Sequence, residues 1–137
     1  MNREKRLSVR SGKARWLLLA GALLTSQISL ALEIVPYEAE AFDRARAEGK
    51  VTALQFHSGW CPICVMQERG VLSLKDDKEF DAVIVFRAEY YKEETLRKRF
   101  QVNSFSTLVV FRGRQERART VGDHRHEKLK QLFGQAL

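Results

Sequence analysis

Cys61 and Cys64 are the only two cysteines of the 137-residue chain, three positions apart in FHSGWCPICVM, residues 56–66. Two thiols at that spacing can staple a loop, hold a metal ion, or exchange electrons as a dithiol–disulfide couple. A staple would close only four residues, worth about 2 kcal/mol by chain entropy against about 5 for a loop of roughly 100 residues. Structural zinc needs four ligands, and the pair supplies two. His57 precedes Cys61 by four residues, while His124 and His126 lie far along the chain and, two apart on a helix, share no face. Covalent haem attachment requires a histidine directly after the second cysteine, where Val65 stands. Redox exchange is the best reading of the pair.

The spacing also assigns roles. Pro62 suits the first turn of a helix and Gly70 its end, which makes CPICVMQERG a helix with Cys61 at its N-terminus. Free backbone N–H groups and the positive end of the helix dipole favour a thiolate there. Cys64, nearly one turn in, is more sheltered but within reach of a mixed disulfide formed on Cys61. Cys61 is therefore expected to be the nucleophile and Cys64 the resolving thiol.

Other elements must hold this helix in place. VTALQF, directly before the motif, reads as a buried strand, and DAVIVFRA as a second one. LEIVPY is a short strand closed by Pro36. EAEAFDRARAEGK has Ala39, Phe42 and Ala45 or Arg46 at helical spacing, with Gly49 as a stop. KEETLRKRF is a charged helix able to bury Leu96 and Phe100. STLVVFRGRQERARTV gives two strands about a turn at 112–115, with Gly113 as its flexible position. DHRHEKLKQLFGQAL closes the chain as an amphipathic helix, Asp123 its candidate N-cap and Leu129, Leu132 and Phe133 its apolar face. Strands alternating with helices predict an α/β fold with parallel pairing, and the late hairpin adds antiparallel strands. No repeat or linker divides the chain.

Charge is unevenly spread. The formal net charge is +7, yet residues 1–31 hold six of the 24 basic side chains and one of the 17 acids. The remaining 106 residues carry 18 basic and 16 acidic groups, too near balance to imply a nucleic-acid partner. Within 1–31 a basic stretch to Arg15 is followed by WLLLAGALL, polar residues and the small Ser29 and Ala31. That is the three-part pattern of a secretory signal peptide cleaved after Ala31, leaving a domain over 32–137. An uncleaved anchor from Trp16 to Leu32 is the alternative, and gives the only membrane association expected. Both place the domain outside the cytoplasm, in the periplasm or an equivalent space where disulfides persist. The arginines at 112, 114, 117 and 119 make the hairpin basic, as a solvated strand edge should be.

WCPIC after a strand, the βαβ order and TLVVFRG…VGD before the last helix resemble the thioredoxin superfamily over essentially the whole domain. The resemblance implies a mixed central sheet of four or five strands flanked by helices. It implies thiol–disulfide oxidoreductase activity without a cofactor, on protein disulfides outside the cytoplasm, fed by an upstream thiol electron donor. It further implies that Trp60 shields the disulfide and contacts substrate, and that Val121 and Gly122 join Phe105, Ser106 and Ile63 in an apolar rim. Three positions depart from the family. Ser106 stands where a cis-proline usually precedes TL, and is expected trans because a non-proline cis bond costs about 3 kcal/mol. Gln55 replaces a buried aspartate that serves many relatives as proton acceptor for the resolving cysteine. His57 stands where an aromatic is common; packing at a strand end explains it more simply than tuning of Cys61. Two rival readings stay open: a Cu(I)-handling module using Cys61 and Cys64, with Met66 the only local third soft ligand, and a non-catalytic binding domain.

Overall fold

The computed structural model describes residues 31–137. The leader expected over 1–31 lies outside these residues, Ala31 excepted, and no described helix is long and apolar enough to cross a membrane. Five strands form one sheet: β1 (Glu33–Pro36), β2 (Val51–His57), β3 (Ile84–Glu89), β4 (Thr107–Arg112) and β5 (Gln115–Val121), in spatial order β1-β3-β2-β4-β5. β3 pairs in parallel with β1 and β2, while β4 runs antiparallel to β2 and β5. The helices are α1 (Ala39–Ala47), α2 (Pro62–Leu72), α3 (Glu94–Arg99) and α4 (His126–Gly134). This is the α/β architecture that the alternating pattern predicts.

Period-two alternation along the strands sorts their side chains into two cores. Val51 and Ala53 of β2 pack with Val85, Leu108 and Val110 beneath α2 and α4, contacting Val71, Leu129 and Phe133. Leu54 and Phe56 face the other way, onto Phe42 of α1 and Leu96 of α3 with Phe86, Val109 and Phe111. β2 is buried along its whole length because both faces and both edges are covered.

Arg46 ties this second core to the hairpin. Its guanidinium lies 4.8 Å from the Phe111 ring centroid and donates to the carbonyls of Gly113 (3.3 Å) and Arg114 (2.7 Å). Those contacts hold the two-residue turn in which Gly113 takes φ +55°, a value glycine adopts without strain. Along the exposed β5 edge, Arg119 pairs with Glu116 and Arg117 donates to the Gln135 carbonyl.

Two local expectations are corrected. Gly70 does not end α2, which runs on to Leu72; a Cβ there would strike the His124 carbonyl and Leu129, so this glycine lets the chain before α4 cross close over the helix. Asp123 does not cap α4, which begins at His126 after Arg125. Its carboxylate instead accepts from the Arg125 guanidinium at 3.0–3.1 Å, and its carbonyl accepts from Gln67 at 3.1 Å. Residues 73–80, which carry no clear period, form two short 3₁₀ turns that seat Leu74 and Phe80 in the first core.

Candidate active site

β2 delivers the chain to the sheet's end, and a short turn from Ser58 leads into α2. Cys61 is the N-cap of that helix, with extended backbone, and Pro62 follows in its first turn. The Cys61 sulfur accepts a hydrogen bond from the backbone N–H of Cys64 at 3.2 Å. The same N–H also donates to the Cys61 carbonyl at 3.1 Å, so the sulfur shares a donor of the first helical turn, a contact that gains strength when the sulfur carries charge. Cys61 is 2% exposed and Cys64 fully buried, and both are free thiols. Burial pushes the Cys64 thiol pKa up, with the adjacent Cys61 sulfur adding to the rise, while the Ser58 backbone N–H and the Ser106 hydroxyl oppose it. At neutral pH Cys64 therefore keeps its proton. The two sulfurs are chemically unequal, in the sense that a nucleophile and a resolving thiol require.

Ser106 lies against the pair, immediately before β4. No cis peptide bond occurs among the described residues, and Ser106 instead has φ +61°, a region that costs a non-glycine residue about 1–2 kcal/mol. Three backbone bonds hold it there. Its N–H donates to the Phe56 carbonyl (2.7 Å), while its own carbonyl accepts from Gly122 N–H (2.9 Å) and from the Gln67 side chain (2.9 Å). Its hydroxyl is buried beside the Cys64 sulfur and has no other partner. Gln55 is likewise fully buried; its amide nitrogen donates to Gln67 Oε1 at 3.4 Å, and its oxygen has no partner. Gln67, missed in the sequence, is the joint that ties α2 to Ser106 and to Asp123. Its one signal is a polar residue three positions after Cys64 on a buried face.

The proposed substrate-contacting residues fall into two groups around the sulfurs. Gly122, with φ +72°, comes within van der Waals range of Ile63 and is bonded to Ser106, bringing those three together; Val121 beside them is 60% exposed. Trp60 is 69% exposed. Its ring stacks on Tyr91 (centroids 6.3 Å apart) and meets Phe105 edge-on at 5.7 Å. Tyr90 joins the cluster through Tyr91 and Phe105, with the Arg97 guanidinium 4.2 Å from its centroid. Sequence reasoning missed both tyrosines. Their signal was an aromatic pair directly after the β3 run, at the strand end nearest the motif.

His57 ends β2 with its Nδ1 buried and unpartnered, 3.8 Å from Glu68 of α2. Glu68 also receives Arg87 of β3, at 3.3 and 3.4 Å to its two oxygens. Among the described residues no group of three or more His, Cys, Asp or Glu side chains is placed to hold a metal ion. Met66 is 44% exposed on the outer side of α2.

Comparison with known proteins agrees with this geometry. The thioredoxin family profile matches residues 33–135. Among solved structures, Trxlp from Edwardsiella tarda has 28% identity and a TM-score of 0.70, over 74% of this chain and 98% of that one. Deadhead, the germline-specific thioredoxin of Drosophila melanogaster, has 25% identity and a TM-score of 0.59, over 72% and 91%. Thioredoxin Mala s 13 of Malassezia sympodialis shares the fold at 19% identity, with a TM-score of 0.64 over 77% and 93%. No curated protein sequence matches the chain. A profile spanning nearly the whole described domain, joined to a cysteine pair at the N-terminus of α2, makes this chain a member of the thioredoxin family.

Proposed function

We propose that this protein is an exported thiol–disulfide oxidoreductase that reduces disulfides in protein substrates through Cys61 and Cys64. The observation that carries the reading is the asymmetry of the pair: the Cys61 sulfur takes a helix-terminal N–H at 3.2 Å, whereas burial holds the proton on Cys64. In the reaction, the Cys61 thiolate attacks one sulfur of a substrate disulfide, forming a mixed disulfide and releasing the other substrate sulfur as a thiolate. Cys64 then loses its proton and attacks Cys61, so the Cys61–Cys64 bond forms as the mixed disulfide breaks. The substrate leaves reduced and the pair is left oxidised, to be restored by an upstream thiol donor.

Trp60, Ile63, Phe105, Ser106, Val121 and Gly122 surround the entry to the sulfurs, and Tyr91 widens their apolar surface. A disulfide-bearing segment laid across these groups would bury aromatic area at both sides of the reacting bond. Export rests on the leader pattern in residues 1–31, and a periplasmic or other extracytoplasmic location follows from it.

The experiment is insulin reduction with dithiothreitol as donor, paired with substrate trapping. Cys61→Ser is expected to abolish turnover, and Cys64→Ser to accumulate mixed disulfides that dithiothreitol releases. Turnover surviving Cys61→Ser, or alkylation of Cys64 ahead of Cys61 in the reduced protein, would overturn the assignment.

A further inference from the structure

Resolution of the mixed disulfide requires Cys64 to lose a proton into a part of the protein that offers few places to put it. The polar side chains nearest the pair on the sheet side, Gln55, Gln67 and Ser106, do not titrate. The titratable set begins one turn further along α2. Glu68 follows Cys64 by four residues and so falls on the same helical stripe. His57 faces it from the end of β2, and the residue after His57 supplies the backbone N–H beside the Cys64 sulfur.

The imidazole is held in an unusual condition. Its side chain is 11% exposed, and Nδ1 is buried without a hydrogen bond while a carboxylate oxygen stands 3.8 Å away. That gap is too long for a hydrogen bond. A neutral ring leaves a buried polar atom unpartnered; a protonated one faces an anion already in position. Arg87 fixes that anion through both oxygens. The other charged group from the adjoining strand is Glu89, the register partner of His57 on β3.

We propose that His57 takes up the proton released by Cys64 during resolution, and that Glu68, anchored by Arg87, is the positioning residue that stabilises the imidazolium. The step rests on the reductase reading and balances within it. Cys64 gives its proton to the imidazole as its sulfur attacks Cys61, the substrate sulfur departs with the electron pair, and the proton later passes from the imidazole to solvent.

The test uses the reduced full-length domain and one equivalent of dithiobis(nitrobenzoate), whose released thiolate is coloured. Attack by Cys61 liberates the first thiolate, and attack by Cys64 liberates the second. In the wild type the rate of the second release should climb with pH and level off once the acceptor imidazole is neutral. His57→Gln should slow the second release by about tenfold near pH 7 and leave only the rise with pH that follows the Cys64 thiolate fraction, without levelling off. Glu68→Gln, at a partly exposed position, should move the climb to lower pH, because the imidazolium loses its anion. The first release should stay within about twofold in both, since it belongs to Cys61. Superimposable second-release profiles in all three proteins would overturn this inference alone. A wild-type protein that liberates one equivalent only would contradict the proposed function as well.

Discussion

The two faces of β2 are equally buried and part in chemistry at the end of the strand that leads to the cysteines. On one, Leu54 and Phe56 lie in an aromatic core where Phe42 touches the rings of Phe86, Phe100 and Phe111 at centroid distances of 5.3–6.0 Å. Its one buried charge, Arg46, is answered by two carbonyls and three rings. On the other, the apolar Val51 and Ala53 give way at the active-site end to Gln55 and His57 under α2, each with a buried polar atom that lacks a partner. Such atoms each cost on the order of 1–3 kcal/mol when left unpaired. The difference teaches where the molecule keeps its stability and where it keeps its reactivity. The aromatic face, whose one unpartnered hydroxyl on β2 is that of Thr52 at the far end of the strand, anchors the sheet, and the polar end of the other face surrounds the sulfurs of the proposed redox pair.

That division is open to attack from either side. Phe42→Ala empties the centre of the aromatic face and should cost about 3–5 kcal/mol of unfolding free energy, read by urea denaturation. Reaction of the remaining folded protein at Cys61 should be unchanged; a slowed Cys61 would show that the faces are not separable. Gln67→Leu removes the donor shared by the Ser106 and Asp123 carbonyls, and should cost about 2 kcal/mol. It should also slow the step made by Cys64 more than the step made by Cys61, because Ser106 loses one of the bonds that hold it at positive φ. Equal effects on both steps would reduce Gln67 to a packing residue. Tyr91→Ala removes the ring stacked on Trp60 while leaving the cores untouched, so thermal stability should hold. Turnover of protein disulfides should fall about fivefold through weaker substrate binding, roughly 1 kcal/mol of aromatic contact. Unchanged turnover would exclude Tyr91 from the substrate surface.

The sequence carries one side of this comparison better than the other. All five strands and four helices are readable because each is written locally: an apolar run, a helical period, a proline at a helix start. Cys61 at the head of α2 follows from the same local grammar. What is not readable depends on a long-range crossing, the passage of residues 122–125 over α2. That crossing puts Gly70 inside the helix, gives the Asp123 carbonyl to Gln67, and pins the Ser106 backbone between Phe56 and Gly122. Gln55 and His57 stand out in the sequence only as departures from the family pattern, and Glu68 not at all; only the packing of α2 on β2 and β3 brings them into one polar layer.

The reduction potential of the Cys61–Cys64 couple, measured by equilibration against glutathione buffers, tests the reductase reading most directly. Pro62 and Ile63 between the cysteines bring no charge and no side-chain donor to stabilise a thiolate, and Cys64 is held protonated by burial. A potential near about −270 mV, at the reducing end of the range for such couples, is expected. A value above about −170 mV would contradict it and make the protein an oxidant of thiols instead.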